Sequence, residues 1–283
     1  MTQHSVVVVH GVQNWRPGVP APKATAELAA EWSPRLAEGY RAAGLGHIPA
    51  PLVHPAYYAH FLNDDEIQSA AREVEELSAP EASLLISWLR AAGLPAEPPE
   101  GQAWGTMPVR QALDWFARRR GISADLLARI AIALMPEVFV YLTSPARRSA
   151  AREAVAETIQ ASGARVVVAH SLGSVVAYEA LHAFPLPQVE LLVTLGSPLG
   201  LPGGVFDALD PAPSNGRGIR PPGLGRWVNI ADPGDLVAVP RRLGDRFDVD
   251  SHHEYHIGTL DFHTMGSYLS CGLVAAAVSP HLS

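Results

Sequence analysis

Three residues in the order serine, aspartate, histidine carry the chemistry that this chain suggests. In the run from Val166 to Val176 an apolar, β-branched stretch stops at Ser171, and a helical pattern follows. A serine on a tight strand-to-helix turn has a strained backbone and an exposed Oγ. Such a turn fits only if the positions two before and two after the serine carry almost no side chain. Those positions are Ala169 and Gly173. Ser171 therefore reads as a nucleophile on an elbow of the form A-x-S-x-G, one methyl group away from the commoner G-x-S-x-G. The plain alternative is an ordinary β-to-α turn with a serine at the start of the next helix.

Two further segments sit where the same chemistry needs them. Residues 5–9 form a second apolar run, which ends in His10-Gly11-Val12-Gln13-Asn14. A loop after an early strand can supply one backbone N–H to an oxyanion hole, and the residue after the nucleophile supplies the other. Val12 and Leu172 are the candidate donors. Downstream, the run 226–237 reads as a strand, over 227–230, running into the tight turn Asp232-Pro233-Gly234-Asp235, and His263 precedes the last helical segment. An acid orients the imidazole and stabilises its charged form, while the imidazole takes the serine proton and returns it to the leaving group. Both aspartates of the turn could reach the imidazole. Asp235 is favoured over Asp232, because an aspartate before proline commonly initiates a turn by bonding its own backbone, whereas Gly234 lets the chain reverse and present the next side chain.

The elbow 169–173, the Thr194-Leu195-Gly196-Ser197-Pro198-Leu199-Gly200 run and the 229–235 turn together resemble the lipase-like branch of the α/β hydrolase superfamily, which includes lipases, esterases and inositol deacylases. The resemblance covers residues 1–12 and about 147–278. It implies an α/β hydrolase fold and acyl-transfer chemistry on Ser171. The chain departs from the family at Ala169 and in having no multi-glycine loop after His10-Gly11.

Composition bounds what else the chain can be. Its 283 residues, 48% hydrophobic and 17% charged, suffice for one α/β domain with an insertion. A formal net charge of -7 gives no basic surface for nucleic acid. The single cysteine, Cys271, forbids an internal disulfide and reads as a core thiol. The first four residues carry no basic region, and the apolar run behind them is too short for a secretory core, so a cytoplasmic protein is expected. No stretch approaches about 20 uninterrupted apolar residues, so no stable membrane insertion is expected. Lys23 is the sole lysine and alanine is abundant, a bias expected of a high-GC bacterial genome.

Positioning these residues requires a sheet. Apolar runs predict strands over 5–9, 165–169, 190–195 and 227–230, with a weaker one near 51–58. Three- and four-residue apolar spacing predicts helices over 24–43, 149–161 and 174–184. The alternation implies a mostly parallel central sheet flanked by helices. Residues from about 64 to 145 break it: helical patterns over 64–77, 82–92, 109–119 and 126–134, interrupted by a proline-rich turn at 95–100, read as a helical lid insertion over the site. A purely structural insertion or a dimer surface is the alternative. The glycine- and proline-rich loop 200–225 is long enough to be functional.

Twelve histidines compete for the role of base. His252, His253 and His256 with Glu254 could suggest a metal site, but no cysteine or H-E-x-x-H order supports one, and a polar loop before the last short strand is the expected reading. No metal and no cofactor are expected. His170 is expected to line or support the pocket, and Ser174 to be a polar helix-start residue. The chain thus reads as a serine hydrolase for an ester, thioester or amide, acting on a partly apolar small-molecule or peptide acyl substrate. An acyltransferase, cyclase or peptidase using the same acyl-enzyme remains open, as does a non-catalytic binding module on this fold.

Overall fold

Six short strands, β1 (Ser5–Val9), β2 (Leu52–Ala56), β3 (Val166–His170), β4 (Leu191–Leu195), β5 (Arg226–Ala231) and β6 (Ser251–Glu254), form an all-parallel sheet in the order β2-β1-β3-β4-β5-β6. The computed structural model describes residues 4–63, 73–95, 109–258 and 263–282. The four central strands are apolar at nearly every position because both faces of the sheet are covered. Side chains alternate: Val6, Val8, Val166 and Val168 join one core, and Val7, Val9, Val167 and Ala169 the other.

The first of these cores is closed by α1 (Ala21–Ala42), α8 (Met265–Ser270) and α9 (Leu273–Val278). In α1, Ala24, Leu28, Trp32, Leu36 and Tyr40 recur every four residues and are all buried. Each large side chain among them contributes about 1.5–3 kcal/mol through removal from water. The opposite face is covered by α6 (Pro145–Ser162) and α7 (Leu172–Ala183), and the other helices between β2 and β3 join the same core. These are the short α2 (Ala59–Leu62) and then α3 (Ala79–Ala91), α4 (Val109–Arg120) and α5 (Ala124–Thr143). Six-stranded, all parallel and helix-covered on both faces, this is an α/β hydrolase-type fold.

Several sequence expectations change. The helix expected to end at residue 134 runs as α5 to Thr143, past Pro136. Leu134, Met135, Val138 and Tyr141 are buried on both sides of that proline, and their packing holds the helix together where local propensity would break it. Among the described helices α5 alone is long and apolar enough to span a bilayer. It is interrupted by Asp125, Arg129 and Glu137, and its buried stripe faces the core. His252, His253 and Glu254 are not a loop before the last strand; they are the last strand, β6, paired to one neighbour at the sheet edge. Most of the expected 64–77 helix and of the 95–100 turn lies outside the described residues; residues Val74–Glu76 form a single 3₁₀ turn. Cys271 is partly buried, its Sγ bonded to the Tyr268 carbonyl at 3.2 Å, so it is not a core thiol.

Candidate active site

Ser171 joins β3 to α7 with φ 52° and ψ −131°, a backbone region that costs a non-glycine residue about 1–3 kcal/mol. The surroundings hold it there. Its N–H donates to the Leu195 carbonyl at the end of β4 (3.0 Å). Its carbonyl accepts from Ser174 Oγ (2.6 Å), which also meets Ser197 Oγ at 2.7 Å. Ser174 is fully buried in this role. Gly173 has no Cβ because the His10 backbone occupies that space.

The loop after β1 passes against the serine: a Cβ on Gly11 would lie 2.7 Å from Ser171 Cβ. Val12 follows directly. Asn14 Nδ2 donates to the Gly11 and Val12 carbonyls at 3.1 and 3.0 Å, drawing both oxygens to one side. Leu172 opens α7, so its N–H is one of the helix-start donors without an intrahelical acceptor. Leu172 thus follows Ser171 directly, and Val12 follows Gly11 in the loop that passes against the serine.

Asp235 and His263 meet across the end of the sheet. His263 Nδ1 lies 2.7 Å from Asp235 Oδ2. The Asp235 carboxylate is itself fixed: its Oδ1 accepts the Val237 and Ala238 N–H groups at 2.8 and 3.3 Å, and its Oδ2 accepts the Tyr268 hydroxyl at 2.8 Å. Asp232 does other work. Its Oδ1 closes the turn on the Gly234 N–H and its Oδ2 accepts the Ile257 N–H, each at 2.6 Å. His256 lies 3.5 Å from it on the exposed side. His263 Nε2 is buried and makes no hydrogen bond among the described residues, so the link from imidazole to Ser171 Oγ is not closed here. Such bonds often tighten only when substrate is bound.

Gly196 is the close-packed point of the cluster. It follows Leu195 with φ +51°, and a Cβ there would lie 2.6 Å from Asp235 Oδ2 and 3.0 Å from His263 Nδ1. Behind His263, the His170 ring packs at 4.5 Å between centroids. Burial and the neighbouring imidazoles hold His170 well below the usual histidine range, so it stays neutral beside His263. Burial also lowers His10, to about 4, where it stacks on Tyr58 at 4.0 Å.

Ser171 opens into a pocket lined by Leu84 and Trp88 of α3, Leu134 and Val138 of α5, and Leu201 and Val205 of the 200–225 loop. Its free volume is about 20 Å³, room for about one water molecule. Trp88 Nε1 donates to the Leu236 carbonyl at 2.6 Å, tying α3 to the turn that holds Asp235. Of the metal-like histidines, His252 is otherwise engaged: its Nδ1 meets Asn229 Nδ2 at 2.9 Å and its Nε2 meets Glu254 at 3.3 Å. Among the described residues no group of three or more histidine, cysteine or acidic side chains could hold a metal ion.

Sequence reading missed Tyr268, Gly196 and Glu137. Gly196 lies in the 194–200 run and Tyr268 in the last helical segment after His263, but a tyrosine in an apolar helix and a glycine after a strand carry no sign of a partner.

No family model and no curated protein matches the chain. Among solved structures, it is similar to an esterase domain of a Rhodothermus marinus protein, at 14% identity and a TM-score of 0.31. That match covers 45% of this chain and 66% of the other, just under two thirds of its length.

Proposed function

We propose that the protein is a serine hydrolase, cleaving a carboxylic ester, thioester or amide with a partly apolar acyl group. The observation that carries this reading is the 2.7 Å contact between His263 Nδ1 and Asp235 Oδ2 at the same sheet end as the strained Ser171. In the reaction His263 Nε2 takes the Ser171 Oγ proton as Oγ attacks the acyl carbon. The Val12 and Leu172 N–H groups bind the oxyanion, each worth roughly 10²- to 10³-fold in rate. The imidazolium, held by Asp235, then protonates the leaving group, and water activated by the same imidazole releases the acid.

The apolar pocket between α3, α5 and the 200–225 loop supports an apolar acyl group. The free space at Ser171 takes about one water, so α3 and α5, whose side chains line it, act as a lid that moves to admit such a group.

The test is a fluorophosphonate probe and a panel of acyl esters and peptides, read by mass spectrometry. Ser171 is labelled in the wild type, and Ser171→Ala loses labelling and turnover. Labelling retained in that variant removes the assignment. Release of an acyl-amine or acyl-ester in place of a free acid would identify an acyltransferase.

A further inference from the structure

Glu137 is a buried carboxyl that the mechanism above does not use. It sits in α5, only 3% exposed, next to Val138 and two residues from Met135, both of which line the pocket. Its Oε1 accepts the Gln13 N–H at 2.9 Å, a contact between residues 124 positions apart. Its Oε2 is buried and makes no hydrogen bond among the described residues. The Asn63 amide faces the same carboxyl. An acidic group placed so is costly, since an apolar side chain of similar volume in the same place would avoid its desolvation.

The contact has a geometric consequence for the loop beside Ser171. Two peptide planes follow β1 there. The first contains the Gly11 carbonyl and the Val12 N–H, the second the Val12 carbonyl and the Gln13 N–H. Asn14 Nδ2 holds both carbonyls from one side, and Glu137 holds the Gln13 N–H from the other. Gln13 has φ 64°, a left-handed conformation that a non-glycine residue keeps only when its surroundings impose it. Without Glu137 the Gln13 N–H loses its side-chain acceptor and the second plane is free to turn about Val12, while the Gly11 carbonyl of the first keeps His10 Nδ1 at 2.6 Å and Asn14 Nδ2 at 3.1 Å.

We propose that Glu137 is a positioning residue: from the helical segment over the pocket it fixes the loop that aims the Val12 N–H at the oxyanion. This rests on the serine hydrolase reading. Because Leu134, Met135 and Val138 of the same helix line the pocket, the oxyanion donor is correctly placed only when α5 is seated over Ser171. Closure over a substrate and completion of the oxyanion hole thereby become one event.

The experiment compares Glu137→Met, Glu137→Ala and Glu137→Gln with the wild type on a short acyl ester. Active sites are counted by fluorophosphonate titration so that turnover is expressed per folded, labelled serine. The Met variant keeps the volume and removes the buried charge, so it folds; the Ala variant is the parallel check. Loss of the acceptor lowers kcat per active site by about 10- to 100-fold with KM within about twofold, because the oxyanion contact is made in the transition state. The Gln variant keeps an amide oxygen for the Gln13 N–H and stays within about threefold of wild type. A kcat per active site within threefold of wild type in both Met and Ala overturns the proposal, as does a loss confined to KM. If the probe fails to label Ser171 in the wild type, the hydrolase reading itself falls, a result distinct from normal turnover in labelled variants.

Discussion

The Tyr268 hydroxyl donates to Asp235 Oδ2 at 2.8 Å, on the same oxygen that His263 Nδ1 approaches. The hydroxyl in turn accepts the Asp232 N–H at 2.9 Å, so one phenol links the two aspartates of the turn. Burial and the adjacent carboxylates push its pKa far above the usual tyrosine value, so it remains a donor at any working pH. Tyr268→Phe keeps the ring and removes the bond, and turnover falls by about tenfold. The double variant Asp235→Asn/Tyr268→Phe is no slower than Asp235→Asn alone, because the hydroxyl acts through that carboxylate. Additive losses in steady-state rates would show that it acts elsewhere.

Asp235 and Asp232 separate into activity and stability. In Asp235→Asn the side-chain oxygen stays on the Val237 and Ala238 N–H groups, which turns the amide NH₂ toward His263 and favours the wrong imidazole tautomer. Turnover falls by up to about 10⁴-fold with little change in melting temperature. Asp232→Asn leaves either the Gly234 or the Ile257 N–H without its acceptor, a cost of about 1–3 kcal/mol, and keeps most turnover. Melting temperature and kcat measured for both variants decide this, and the reverse pattern would make Asp232 the acid.

Gly196→Ala tests the contact point. The added methyl meets Asp235 Oδ2 and His263 Nδ1 in a backbone conformation that alanine disfavours. Displacing that pair by even 1 Å lowers kcat by about 10²-fold. A wild-type kcat in a folded variant would show that the pair tolerates displacement.

Trp88 sits on the pocket wall and holds Leu236. Trp88→Ala widens the pocket and releases that contact, so the preference among acyl esters shifts toward longer or bulkier chains. A lower melting temperature with an unchanged chain-length profile would assign Trp88 a structural part only.

Glu137 also gives stability a pH dependence. Burial raises its carboxyl from 4.5 to about 7, against the Gln13 N–H and the Asn63 amide, which favour ionisation, and with Tyr57 and Tyr58 close by. A raised folded-state pKa contributes stability that is complete below 4.5 and lost as pH rises through about 7, up to about 3 kcal/mol in all. Glu137→Gln therefore gains melting temperature over wild type at pH 8 and gains little at pH 5. His10, lowered to about 4, destabilises both proteins alike as pH falls below 6.5, so the difference isolates Glu137. Equal differences at the two pH values would mean that Glu137 keeps an ordinary carboxyl pKa.

The strands and the elbow were legible in the sequence because their determinants are local. A strand buried on both faces must be apolar at almost every position, and β1, β3, β4 and β5 are. A serine in a strained turn needs small neighbours two residues away, and Ala169 and Gly173 supply them. The edge strand β6 was hidden, since Ser-His-His-Glu pairs with one neighbour and has no apolar signature. The extent of α5 was hidden too, because packing on both sides of Pro136 outweighs the local break. Sequence alone left two aspartates in one turn open; the fold brings Asp235 to His263 and turns Asp232 to the Gly234 and Ile257 amides. Tyr268 on Asp235, Gly196 beneath the pair and Glu137 on Gln13 were decided only in three dimensions. Period and turn chemistry depend on residues a few positions apart, whereas these contacts depend on where helices pack on the sheet, which no short window of sequence contains.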